Sequence, residues 1–324
     1  MDLEFYMIAG AFGAAIVVFA LGFAHQCRRG HRIAPPPLPS HDGPPSPHPV
    51  EMAVTLTSPP QVETPYAPPQ SESLARRLGL SFNRVSCRIY KLIDLPLGLF
   101  LIGVYMMPLF FDLFSKTEDA GITIGYDALL GTIVMQGFMV ALVIGMVVWR
   151  VNLINWLGLR WKGWYWIFLL APVGVLATWT FALGLDGIGY HLWLKNEMGT
   201  DGQQEVVEAF STTQDPALLA LLCLTAVVVA PLSEEILFRG YLYPASKRAI
   251  GRVPAILFSS LIFAAIHHNA MALLPLCFLA ILLALAYEVS GSIWAPIAIH
   301  FLFNAATVSF QLAARWGWIT LPEV

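Results

Sequence analysis

Apolar stretches of close to 20 residues recur along this chain with almost no charge inside them, and they restrict the folds open to it. A helix of that length matches the roughly 30 Å hydrocarbon core of a bilayer, where only helices and closed barrels satisfy their own backbone. Such runs predict spans near 4–24, 95–115, 128–149, 164–185, 216–238, 254–269, 272–289 and 292–312, the sixth and seventh being short and poorly separated. Composition agrees: 57% of residues are hydrophobic and 12% charged, against about a quarter charged in soluble domains. The expected fold is an all-α, polytopic transmembrane helix bundle of about eight spans in a cell membrane, with the lipid bilayer as its solvent.

A net charge of -3 without a basic stripe excludes an electrostatic nucleic-acid binder. Cys27, Cys87, Cys223 and Cys277 show no paired spacing and read as small apolar residues. The first span opens on acidic Met1-Asp2-Leu3-Glu4, unlike a cleaved secretory signal, and reads as a retained anchor over residues 1–33. Thirteen of the chain's 23 prolines fall between Ala34 and Gln70. That composition favours extended polyproline conformations and builds no core, so 34–72 reads as a disordered, semi-rigid tether. Residues 73–215 hold membrane helices of unassigned role, and 216–312 hold the chemistry.

Basic residues sort onto alternate loops: Arg28, Arg29 and Arg32; Arg76 to Lys91; Arg150, Arg160 and Lys162; Lys247, Arg248 and Arg252. The intervening loops carry Glu118-Asp119 and the acidic residues from Asp186 to Asp215. By the positive-inside rule the N-terminus lies outside and the tether in the cytoplasm. Trp149, Trp156, Trp161, Trp164 and Trp166 gather beside the third and fourth spans as an interfacial aromatic belt.

Ionisable side chains at membrane depth are costly and point to function. Three groups of them stand in the last third of the chain. Glu234 and Glu235 are adjacent, so on a helix they diverge by about 100° and do different jobs. Glu235 and Arg239 are four apart in the order that favours an ion pair, which leaves Glu234 desolvated beside a like charge and suited to general-base work. His267 lies as far beyond the Ile250-Gly251 turn as Glu234 lies before it, so an antiparallel hairpin sets the two at matching height. That requires the sixth span to be short and enclosed, or the site to open on a deep aqueous cavity. His300 and Asn304 share one helical face and offer N–H donors toward a developing oxyanion. Each histidine alone would serve as well as interhelical glue; four groups together make the parts of a hydrolytic site.

The strings Glu234-Glu235-x-x-x-Arg239, Phe263-x-x-x-His267 and His300-x-x-x-Asn304, with Phe238-Arg239-Gly240 and Gly291-Ser292-Ile293-Trp294-Ala295-Pro296 around them, resemble the intramembrane proteases that include type II CAAX prenyl proteases and the bacteriocin-immunity (Abi) proteins. The resemblance spans about 216–310. It implies peptide-bond hydrolysis on a membrane-associated or lipidated protein or peptide substrate. It also implies Glu234 as the base, His267 as its partner on the water, His300 and Asn304 as the oxyanion hole, and Arg239 bracing Glu235. No cofactor is favoured; zinc on Glu234, His267 and His300 is the alternative, although no His-Glu-x-x-His occurs. The competing functions are a non-catalytic immunity or scaffold protein of the same fold, and a proton-coupled transporter, which the lack of an evident repeat disfavours.

Overall fold

A computed structural model describes residues 3–28, 84–105, 107, 124–198 and 205–319. The tether at 34–72 and the acidic pair Glu118-Asp119 lie outside these residues. Every regular element among the described residues is helical. In chain order they are α1 (Leu3–Arg28), α2 (Asp94–Tyr105), α3 (Tyr126–Val148), α4 (Leu153–Trp156), α5 (Ile167–Gly187) and α6 (Tyr190–Met198). There follow α7 (Glu205–Thr212), α8 (Pro216–Ile250), α9 (Arg252–Ala265), α10 (Ala270–Ser290) and α11 (Trp294–Arg315).

Among the described residues six stretches are long and apolar enough to cross a membrane: α1, α3, Trp164–Gly187, α8, α10 and α11. The other two expected spans are shorter. The second is represented by the 12 residues of α2, and the sixth by the 14 residues of α9. α9 manages with this length because it is enclosed: Ala255, Ser259, Ser260 and the run Ile262–Ala265 are buried between α1, α8 and α10. Of the two ways to place His267, the structure thus shows the short, enclosed helix.

α8 is the axis of the site and runs past the expected end at 238. It starts cleanly: Asp215 accepts the Ala217 N–H at 2.8 Å, and Pro216 occupies the first turn, where its missing N–H costs nothing. Pro231, Gly240 and Pro244 would be expected to break it. Instead the helix widens into π-turns at Thr225–Val229 and Ile236–Leu242, on either side of Glu234 and Glu235. Such turns leave carbonyls without backbone partners and favour functional sites. Here the N–H of Ala230 reaches back five residues to Thr225, so the next donor in that register falls on Pro231, which has none. The Ala226 carbonyl is left for a side chain. Likewise Pro244 has no N–H for Gly240 in α register.

α8 ends where Gly251 turns the chain with φ of 84°, a left-handed conformation open to glycine. α9 then returns antiparallel, as the hairpin argument required. α1 packs along α9, with Gly22 so close that a Cβ there would stand 2.9 Å from the Ile250 Cβ. Asn269 caps α10 by accepting the Ala272 N–H at 2.7 Å. The acidic stretch between the fourth and fifth expected spans is no simple loop, since α6 and α7 form within it.

Candidate active site

The two carboxylates sit in the short α-helical step between the π-turns, and both are withdrawn from solvent: Glu234 is 8% exposed and Glu235 0%. Glu235 is fully engaged on one oxygen. Its Oε1 accepts Arg239 Nη1–H at 2.9 Å and His300 Nδ1–H at 2.9 Å. Arg239, 2% exposed, also donates Nη2–H to the Ala280 carbonyl of α10 at 3.2 Å. The ion pair expected from the spacing is therefore present and buried.

Phe263 organises the rest. Its ring lies 4.5 Å from the Arg239 guanidinium carbon, with the His267 and His300 rings at 4.9 and 5.7 Å. Guanidinium over an aromatic face gains cation–π attraction, and the fully buried ring gives the site a dry wall. His267 Nδ1–H donates to the Phe263 carbonyl at 2.7 Å, which fixes its tautomer and leaves Nε2 as an acceptor. It lies within electrostatic range of both Glu234 and His300. His268 adopts φ of 49°, the one positive value among the described non-glycine residues. It faces away from its neighbour's work, donating Nε2–H to the Tyr105 carbonyl at 3.1 Å.

On α11, His300 is 3% exposed and its Nε2 stands 3.9 Å from Glu234 Oε2. Because Nδ1 carries the proton given to Glu235, the neutral ring has a lone pair at Nε2 and donates there only when charged. Asn304, one turn along, gives an N–H to the Ala226 carbonyl at 2.8 Å, the carbonyl that Pro231 leaves unpaired. Glu234 Oε2 is buried and accepts no hydrogen bond from the protein. So Glu234, Glu235, Arg239, His267 and His300 converge, and Asn304 joins them through the backbone of α8.

Residues outside the three motifs brace this geometry. The Gly240 carbonyl accepts Trp156 Nε1–H at 3.0 Å and the Tyr90 hydroxyl. Trp156 therefore leaves the expected interfacial belt: it is 7% exposed, whereas Trp149 is 89% exposed. Its indole N–H found a proline-stranded carbonyl, a better partner than the headgroup region. Asp94, at the start of α2 and fully buried, accepts both Arg150 Nη1 contacts, at 2.7 and 2.6 Å, and the Tyr241 hydroxyl at 3.0 Å. Lys247, counted among the basic turn residues, is instead 7% exposed and paired with Glu288 of α10. Asp94 and Glu288 each interrupt an apolar run, and that lone signal would have found them; Tyr90 and Trp156 carry none.

Among the described residues no three His, Cys, Asp or Glu side chains gather closely enough to hold a metal ion. The zinc alternative therefore has no ligand set among the described residues.

Fold and site together define a polytopic membrane protein, helical throughout its described elements, with a buried carboxylate–guanidinium–imidazole cluster centred on α8. Residues 216–306 match the family described as type II CAAX prenyl endopeptidase Rce1-like, so the chain carries an Rce1-like domain that starts with α8 and ends within α11. No curated protein and no solved structure matches the chain.

Proposed function

We propose that this protein is an endopeptidase of the membrane interior, cutting a peptide bond in a membrane-associated or lipidated protein with water activated by Glu234. The observation that carries this reading is the contrast between the two carboxylates. Glu235 is held through Oε1 by Arg239 and His300, its Oε2 buried and unbonded, while the buried Oε2 of Glu234 accepts no hydrogen bond from the protein and stands 3.9 Å from an imidazole nitrogen. That gap is too long for a direct hydrogen bond, so the Glu234 oxygen is left to accept from a water. As its oxygen adds to the scissile carbonyl carbon, the water gives a proton to Glu234; Glu234 passes it to the departing amide nitrogen as the C–N bond breaks. His267 steadies the water through Nε2. His300, its charged form held by Glu235, and Asn304 face the developing oxyanion.

A substrate carrying a hydrocarbon chain suits the surroundings. A cavity of about 360 Å³ lies between α1, α2, α8 and α9, walled by Ile16, Phe19, Leu95, Leu99, Leu242 and Phe258 among others. The alternation of basic and acidic loops supports an outside N-terminus, with the 34–72 segment in the cytoplasm of a cell whose membrane the chain spans. A scaffold or immunity protein has no use for a desolvated carboxylate free of partners, and a proton-coupled transporter has no use for an oxyanion site.

The test is cleavage of fluorogenic peptides, with and without a prenyl group, by detergent-purified protein and by Glu234→Gln and His267→Ala. Loss of turnover in both variants supports the assignment. Turnover indifferent to both refutes it, and proton-coupled flux in liposomes abolished by Glu234→Gln favours the transporter.

A further inference from the structure

One buried donor beside this cluster has no partner, and it comes from outside the Rce1-like domain. Tyr105 lies on α2. Its hydroxyl is buried and makes no hydrogen bond, although a buried phenol O–H ordinarily finds an acceptor. It lies within electrostatic range of Glu234, whose Oε2 is likewise buried and unbonded. Since neither atom bonds the other, the hydrogen-bonding capacity of both stays open to a reacting group.

The position of Tyr105 is set from three sides. Its ring packs 6.4 Å from Phe238, one turn beyond Glu234 on α8, and its carbonyl accepts the His268 N–H beside His267. At the other end of α2, Asp94 is tied to Arg150 and to Tyr241 of α8. α2 therefore runs antiparallel to α8, held at Asp94 and again around Tyr105, which brings the Tyr105 side chain to the stretch of α8 that carries Glu234 and Phe238. The remaining donors are partly committed: one Asn304 N–H goes to Ala226, and His300 donates from Nε2 only when charged. An activated water donates to Glu234, so a hydroxyl across from it is placed to donate to the carbonyl oxygen on which negative charge develops.

We propose that the Tyr105 hydroxyl is an oxyanion donor of the reaction, a catalytic group supplied to the Rce1-like domain by α2. This rests on the hydrolytic reading above. No bond to tyrosine forms or breaks: its O–H hydrogen bond strengthens as the carbonyl oxygen gains charge, and relaxes when the tetrahedral centre collapses.

The experiment compares wild type, Glu234→Gln, Tyr105→Phe and protein carrying 3,5-difluorotyrosine at position 105, all on the same fluorogenic peptide. Tyr105→Phe keeps the ring against Phe238, so kcat falls about 100-fold while KM stays within threefold. The more acidic difluorophenol, a stronger hydrogen-bond donor, raises kcat above the wild-type level, which a merely structural hydroxyl would not do. An active wild type silenced by Glu234→Gln but unchanged in Tyr105→Phe overturns the tyrosine alone. Turnover that survives Glu234→Gln, or a wild type that cuts nothing, overturns the hydrolytic reading and the tyrosine with it. Should Tyr105→Phe melt early, the fluorinated protein decides: kcat insensitive to phenol acidity overturns the proposal.

Discussion

Removing the Arg239 guanidinium tests whether the centre is held by one mutually dependent buried pair. Arg239 Nη1 and Glu235 Oε1 are 2.9 Å apart, which at an effective dielectric of about 20 is an attraction of about 6 kcal/mol. Much of that offsets the desolvation of two charges whose side chains are 3% and 0% exposed. Arg239→Gln therefore strands Glu235 beside Glu234 with only the His300 N–H, and costs about 3–5 kcal/mol. Adding Glu235→Gln removes the stranded charge and leaves a neutral amide that can still accept from His300. The double variant then recovers most of that loss, standing within about 1–2 kcal/mol of wild type. Reversible unfolding in mixed micelles, followed by tryptophan fluorescence, reads the difference. A double variant no more stable than Arg239→Gln alone would refute the reasoning. Cleavage adds a second reading, because the double variant, though folded, loses the carboxylate that supports a charged His300 and stays at least tenfold slower than wild type.

Trp156→Phe removes one of two donors to the Gly240 carbonyl and costs about 1 kcal/mol in the same assay, with Tyr90 still in place. Asn304→Ala strands the Ala226 carbonyl and lowers kcat by about 100-fold in the peptide assay. Gly22→Ala drives a methyl to within 2.9 Å of the Ile250 Cβ and 3.0 Å of the Pro254 Cβ, lowering stability by about 1–3 kcal/mol on thermal unfolding. Outside the spans, the Tyr126 hydroxyl and the Ala217 N–H hold the Asp215 carboxyl below its ordinary 3.8. A depressed folded-state value makes its contribution complete at neutral pH and lost as the pH falls below that range. The melting difference between wild type and Asp215→Asn therefore shrinks between pH 6 and pH 3, and it is small throughout because the group is exposed.

Periodicity and spacing made the helical class, the hairpin at Gly251 and the Glu235–Arg239 pair legible, since each depends on local chain geometry. The length of α8 was not legible. Pro231 and Pro244 read as breakers, but a wider turn and a side chain from elsewhere absorbed each missing donor. Span counting is least decisive at α9 for a related reason: hydropathy measures what lipid will accept, and α9 is short, with one face buried against protein while Val253 and Leu257 stay exposed. Tyr105, Tyr90 and Trp156 were invisible because their partners are backbone groups or orphan atoms far away in the text. The carbonyl of Gly240 carries no letter of its own.

Those stranded carbonyls also bear on how the chain can assemble. Ala226 is answered from within the Rce1-like domain, by Asn304, but the side chains that answer Gly240 are Tyr90 and Trp156, and Met271, four residues before Pro275, is met by His191. Synthesised by itself, the domain would enter the bilayer with bare oxygen atoms pointing at its neighbours. The ribosome makes the earlier helices first, so when α8 emerges the indole and the phenol that quench its middle are already waiting in the membrane.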